Sequence, residues 1–455
     1  MLKPNLYSRP LFKSSAPSRT TKARRATPFL FATTMAAFFL SMYVPGQLLG
    51  FNLSGWLWVG TLIVAVALLV RDFHRVSFPV LLWLPWVAYS LSRIQEWNLL
   101  GVQSTVQILL PVLVATSAST LAFSIEVFEI LDKWMRYSFI GLAIMFVTSA
   151  LPWALSDVEN SGWITGGIIA LFFQSYFFCS YLLRGYRRFD LICVLIAVFI
   201  PLILTLRGPI LGSLALFGFV LAPVSLYKRG MIATVVLVLG LATFYSPRVQ
   251  SKMFYTGQGN LSDLRMDNEN LNTSGRTRLA EVLEQGLDDS VWVGHGANSA
   301  GQAVVAAGSP THELHNDWLR IRYNSGRFGV MLFAASILTG TLHLLRAVKG
   351  SGLQTKLLAY SGASCFIPFI IVMFTDNVIV YCYNFTVPQF VFIGYAYASL
   401  RDSVGKGPDV PPFAFHNHRT GRNAQDATNS LHNAQTLHKR LNRMDPGPNA
   451  RPGAK

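Results

Sequence analysis

Apolar runs of about twenty residues recur along this chain with short basic clusters between them, and no other feature restricts its fold so strongly. A helix rises about 1.5 Å per residue and the hydrocarbon core of a bilayer is ~30 Å thick, so roughly 20 apolar residues make one crossing. Backbone polar groups find no water there, which restricts such runs to helices unless they close a barrel. Twelve runs qualify, near 28–48, 54–70, 77–92, 103–123, 137–155, 161–183, 189–206, 208–227, 230–246, 327–347, 356–375 and 377–400. The divisions at Arg207-Gly208-Pro209 and at Asp376-Asn377 are the least marked, and at either one a kink would also fit. A chain that is 52% hydrophobic and 13% charged holds more apolar surface than a soluble fold of this length can bury.

The charges then orient the runs. A net charge of +16 would suggest nucleic acid if the basic residues formed a groove, but they sit in the tails and between the apolar runs. No nucleic-acid partner is expected. With the N-terminus inside, the short cytoplasmic connections carry Arg71, Arg75, Lys133, Arg136, Arg184, Arg187, Arg188, Lys228, Arg229, Arg346, Lys349 and Lys356, whereas the short outer ones carry only Arg93 and Arg207. An error of one span would scramble that asymmetry, so the positive-inside rule predicts twelve spans with both termini cytoplasmic. The expected fold is an all-α polytopic membrane protein with about 12 transmembrane helices and one large, partly helical outer loop. Its parts are a basic cytoplasmic N-tail (1–27), nine spans (28–246), the loop (247–326), three spans (327–400) and a cytoplasmic tail (401–455).

The remaining signals are weaker. Residues 1–27 hold seven Lys or Arg and no acid, but the run after them is too long, and lacks a small-residue cleavage site, for a removable leader, so it is read as an uncleaved first span. Cys179, Cys193, Cys365 and Cys382 lie in or at the ends of apolar runs with no Cys-x-x-Cys pair, and neither a disulfide nor a metal site is expected. The tail from Arg401 is too polar to offset its ordering entropy and is read as disordered, with His416, His418, His432 and His438 solvated and its nine Lys or Arg drawn to membrane lipid.

Residues 247–326 are the one long stretch that is neither lipid-soluble nor of low complexity, and long ordered loops on a rigid scaffold concentrate function. Thr273-Ser274-Gly275-Arg276, followed by Leu279, Val282, Leu283 and Leu287, predicts a capped helix with Arg276 in its first turn. Trp292-Val293-Gly294-His295-Gly296-Ala297-Asn298 predicts a Gly-rich turn. A second helix is predicted to begin near His315, which would present an imidazole, the side chain best suited to take a proton near neutral pH, at the membrane face. Considered singly, His315 also fits a loop-capping role, and Arg276, Arg278, Arg320 and Arg322 also fit a solvated face. Arg207 differs, because it interrupts an apolar run, where a charge is costly and has a partner or a function.

Together these pieces resemble the O-antigen ligase and O-antigen polymerase family of bacterial surface polysaccharide assembly. The resemblance rests on His315-Asn316-Asp317-Trp318-Leu319, on Asn324-Ser325-Gly326-Arg327-Phe328-Gly329 opening the next span, on Ser274-Gly275-Arg276, on Val293-Gly294-His295-Gly296, and on Thr205-Leu206-Arg207-Gly208. It covers about residues 200–400. It implies a type C glycosyltransferase-like fold in the bacterial inner membrane, with the loop periplasmic. It also implies glycan transfer from an undecaprenyl-diphosphate-linked donor to an acceptor hydroxyl on a glycan or a lipid A-core, inverting, without metal or cofactor. Carried over by motif, Arg207 and Arg276 would hold the diphosphate and His315 would be the base, with Arg278, His312, Asn316 and Arg320 as possible supporting residues. Two departures stand out: Leu206 precedes Arg207 where relatives often have Ser, and His312 lies close enough to His315 to be an alternative base. Asp267-Asn268-Glu269 is a near miss for an acidic metal motif.

Polymerase, ligase and protein O-oligosaccharyltransferase stay open at this level. A transporter or flippase of a lipid-linked precursor is the alternative; it would place ionisable residues or broken helices at the bilayer midplane, and here the polar residues gather in one loop. A non-enzymatic scaffold would leave the arginines and His315 without work.

Overall fold

The computed structural model describes residues 31, 47–48, 51–94, 99–152, 164–265, 268–273, 275–309, 313–382 and 384–404. The N-terminal tail, nearly all of the first expected span, Ser274, His312 and the C-terminal tail beyond Val404, with its histidines, lie outside them, whereas residues 401–404, expected in that tail, end the last helix. The described residues are almost entirely helical, and two two-residue strands, β1 (Gln47–Leu48) and β2 (Phe51–Asn52), pair antiparallel. The first helices are α1 (Leu53–Asp72), α2 (Leu84–Ser92), α3 (Leu99–Thr120), α4 (Ile125–Met145), α5 (Ile164–Leu183), α6 (Arg188–Ile203), α7 (Arg207–Phe219) and α8 (Leu226–Phe244). After α9 (Pro247–Met253) come α10 (Arg276–Gly286), α11 (Ser299–Ala306), α12 (Asp317–Ala347), α13 (Leu353–Ser364), α14 (Phe366–Val372) and α15 (Thr386–Val404). Among the described residues, five stretches, Leu100–Thr120, Thr165–Leu183, Tyr227–Phe244, Asp317–Ala347 and Leu353–Val372, are long and apolar enough to cross a membrane.

Several expected spans are realised as broken helices, and proline explains most of the breaks. The helix expected over 77–92 is reduced to a 3-10 turn at Val80–Leu82 followed by α2, because Pro79 and Pro85 lack the N–H an earlier start would need. The helix expected over 208–227 stops at Phe219, six residues short of α8, since Pro223 disfavours helical geometry at Ala222. The two least-marked divisions are both real breaks. Between α6 and α7, Thr205 adopts a left-handed φ of 52°, and between α14 and α15 the chain runs through turns around Asp376 and Asn377.

Helix α15 packs along α3 and α13, α5 packs along α6, and α14 packs along α7. A phenylalanine- and tyrosine-rich core fills the centre, with Phe172, Phe173, Tyr176, Phe177, Phe392 and Tyr395 fully buried. At the C-terminal end of α3, Arg401 of α15 donates to the carbonyls of Arg75, Ser119 and Leu121, while Asp402 accepts from the N–H of Phe123 at 2.8 Å. The last carbonyls of a helix have no partner within it, and a guanidinium fork meets that need. Arg401→Met is expected to destabilise the protein by about 1.5–3 kcal/mol, the worth of hydrogen bonds to a charged group; thermal unfolding of the detergent-solubilised full chain checks this, and an unchanged midpoint would refute it.

Candidate active site

At the other end of α3 the chain enters a layer built from α2, the loop, α12 and the break after α14. The Gly-rich turn and the start of the long apolar helix interlock there by backbone. His295 N donates to Tyr323 O at 2.9 Å, Gly296 N to Asn324 O at 2.8 Å, Arg327 N to Val291 O at 2.9 Å and Phe328 N to Trp292 O at 3.1 Å. Gly294 and Gly326 meet at this junction with φ of 71° and 66°, and a Cβ on either would collide with the backbone of the other's segment. Tyr89 and Arg93 of the α2 end tie on as well, through Tyr89 Oη to Ser325 O at 2.9 Å and Arg93 Nη2 to Gly294 O at 2.9 Å. The kink at Gly326 separates the first part of α12 (317–325) from the apolar remainder, so that this part lies across the layer.

His295, which lies in one of the motifs, is structural. Its ring stacks on Tyr323 and its Nε2 lies 2.7 Å from Gly286 O, holding the last carbonyl of α10. The apolar stripe of α10 is buried as its spacing predicts, with Leu283 and Leu287 packed on Leu314 and Leu319. Its N-cap is Gly275 at φ 76° with no side-chain cap, so the expected side-chain capping is not what starts this helix. Asn316 does cap α12, accepting from Leu319 N at 3.0 Å.

Between α10 and the first part of α12 lies a cavity of about 800 Å³, and Arg207, Arg276 and His315 all line it. Arg207 reaches it from the start of α7. Gly208 permits this, because a side chain there would strike Thr375, and the bare backbone lets α7 begin against the Thr375–Asp376 turn. Arg207 donates from Nη1 to Asn272 O and from Nη2 to Lys252 O at 2.7 Å, and Arg276 donates to Thr375 O. Carbonyls therefore aim both guanidiniums, and among the described residues no carboxylate forms an ion pair with either. Burial lowers the Arg276 pKa from the ordinary arginine value, and the charge of Asp376 opposes that shift. Two half-buried like charges without contact counterions are costly, and such an arrangement suits an anionic ligand.

His315 sits just before the cap with a left-handed φ of 56°. Its Nδ1 lies 3.2 Å from Asp376 Oδ1, and its backbone N–H donates to Asn377 Oδ1 at 2.8 Å. A carboxylate only accepts, so the Nδ1 proton faces Asp376 and the Nε2 lone pair is left for another group, with Glu313 Oε2 4.0 Å away. Behind the imidazole, Asn377 also accepts from Arg320 Nη2 at 2.9 Å, and Asp317 accepts from Ile379 N at 2.7 Å. Arg320 is thus buried scaffold that pairs with Asp317 at 3.4 Å, and Arg278 is exposed and does not line the cavity.

Asp376 and Asn377 are the residues the sequence reading missed. A signal existed: they interrupt an apolar run just as Arg207 does, and the same argument about a costly charge applies.

The sequence model of the O-antigen ligase family matches residues 191–334, a segment that holds Arg207, Arg276 and His315 and ends before Asp376. Comparison with curated proteins found no match. The segment that contributes both arginines and the histidine of the cavity is thus the one that is similar to the O-antigen ligase family.

Proposed function

We propose that this chain is a twelve-span enzyme of the bacterial inner membrane, with both termini cytoplasmic, that transfers glycan on the periplasmic face from an undecaprenyl-diphosphate-linked oligosaccharide to an acceptor hydroxyl. The observation that carries the reading is the convergence of two carbonyl-aimed guanidiniums and one carboxylate-paired imidazole on a single cavity. Arg207 and Arg276 grip the donor diphosphate, since a planar, permanently charged fork matches phosphate oxygens. His315 Nε2 takes the proton of the acceptor hydroxyl, whose oxygen attacks the anomeric carbon. The bond from that carbon to the diphosphate breaks and its electron pair leaves with the diphosphate, where the arginines meet the growing negative charge. A single displacement inverts the anomeric centre. Asp376 holds the imidazole by its other nitrogen and stabilises the imidazolium once it forms. The guanidiniums supply the positive charge that a metal ion would otherwise bring.

The test is complementation of a strain lacking the gene. Arg276→Ala is expected to lower long-chain surface glycan by about 10²–10³-fold, the loss typical of removing one donor to a developing charge, with the protein still present in the membrane. Arg207→Lys should lose less, because it keeps the charge and forfeits the fork. Wild-type glycan in Arg276→Ala cells would sink the reading. What accumulates in the deletion strain sorts the acceptor: core capped by a single repeat indicates a polymerase, and long carrier-linked polymer indicates a ligase.

A further inference from the structure

The cavity has a second end. Helix α10 and the first part of α12 run side by side in the same direction: Arg276 at the start of one and His315 before the start of the other both reach the Thr375–Asp376 turn, while at their far ends Gly286 of α10 lies against Tyr323 of α12. The trough between them is floored by Leu314 and Leu319. Arg322 lines it on the same face of α12 as Leu319, in the second turn of the helix, beyond the imidazole, which precedes that helix. Glu281 and Glu284 line the facing wall on α10. Among the described residues Arg322 has no hydrogen-bond or ion-pair partner, and neither glutamate closes onto it.

An uncompensated guanidinium inside a cavity differs from one on an open surface. Arg322 lines the same space as Arg276 and Arg207 from a different helix. The two facing carboxylates repel a small, wholly anionic ligand, yet accept hydrogen bonds well from hydroxyl groups. A polyhydroxylated ligand carrying one acidic group satisfies both walls. Resting on the reading under Proposed function, we infer that Arg322, with Glu281 and Glu284, forms a specificity subsite for a sugar bearing a carboxylate or phosphate group. The enzyme therefore acts on an acidic glycan.

The test needs no turnover. Full-length protein in phosphatidylcholine nanodiscs is titrated with two trisaccharides of equal size, one with a single galacturonic acid residue among glucoses and one of glucose alone. The wild type should bind the acidic one roughly 10- to 100-fold tighter, as hydrogen bonds to a charged group imply. Arg322→Gln should abolish that preference, Arg322→Lys should keep part of it, and Arg276→Ala should leave it in place. Equal binding of the two sugars by the wild type overturns the proposal. If, in addition, phosphatidylglycerol in the nanodisc raises the melting temperature of the wild type and not of Arg322→Gln, the anion is a lipid headgroup. A preference that survives in Arg322→Gln, with its melting temperature unchanged, also overturns it. Failure of the underlying reading shows separately, as surface glycan persisting in Arg276→Ala cells.

Discussion

Alanine at position 315 is expected to lower glycan transfer by about 10²–10⁴-fold, the contribution of a positioned general base, with the protein at its normal level in the membrane. The imidazole hangs from the layer by its Nδ1 and its backbone N–H, and nothing in the core depends on its ring, so folding should survive the change. Asp376→Asn separates a positioning role from a merely structural one. The amide oxygen can still accept the Nδ1 proton, but the charge that stabilises the imidazolium is gone, so a smaller loss of roughly 10- to 100-fold is expected. An Asp376→Asn variant with full activity would remove Asp376 from the mechanism.

The largest structural effect is expected at the Gly294–Gly326 junction. Gly326→Ala places a Cβ about 2.1 Å from the Trp292 carbonyl oxygen, at a φ of 66° that side chains rarely adopt. Both penalties fall on backbone, which cannot rotate away as a side chain would. The backbone of Gly326, at φ 66° and ψ −174°, lies in a region essentially confined to glycine and costs another residue about 1–3 kcal/mol, and the clash forces apart bonds that hold the turn to α12. The expected outcome is loss of the folded loop: protease sensitivity within 247–326 and little or no glycan, even though Gly326 touches no reacting group. Gly294→Ala should reproduce it, since its Cβ would meet Gly326 N at 2.4 Å. A Gly326→Ala protein that melts like the wild type would refute the interlock.

The residues of the motifs thus divide by physical role. Val293-Gly294-His295-Gly296 and Asn324-Ser325-Gly326 hold one backbone against another, whereas Arg207, Arg276 and His315 face the cavity. Adjacent candidates separate by helical phase. Two residues along a helix turn a side chain by about 200°, so Arg276 lines the cavity while Arg278 is exposed, and Arg322 lines it while Arg320 is buried against Asp317 and Asn377. A sequence shows which of these residues are charged and roughly where a helix starts; it does not show which side of that helix meets another segment.

What the chain's own order of residues determined is therefore local: the apolar runs, the proline-defined breaks, the Asn316 cap, the buried stripe of α10, and the costly charge at Arg207. Tertiary structure decided what is non-local. His315 meets Asp376 across 61 positions, Arg276 meets Thr375 across 99, and Tyr89 meets Ser325 across 236. Hydropathy, capping and proline act within a few residues of where they are written, but a pairing between distant segments depends on how every intervening helix packs, and only the assembled bundle carries that information.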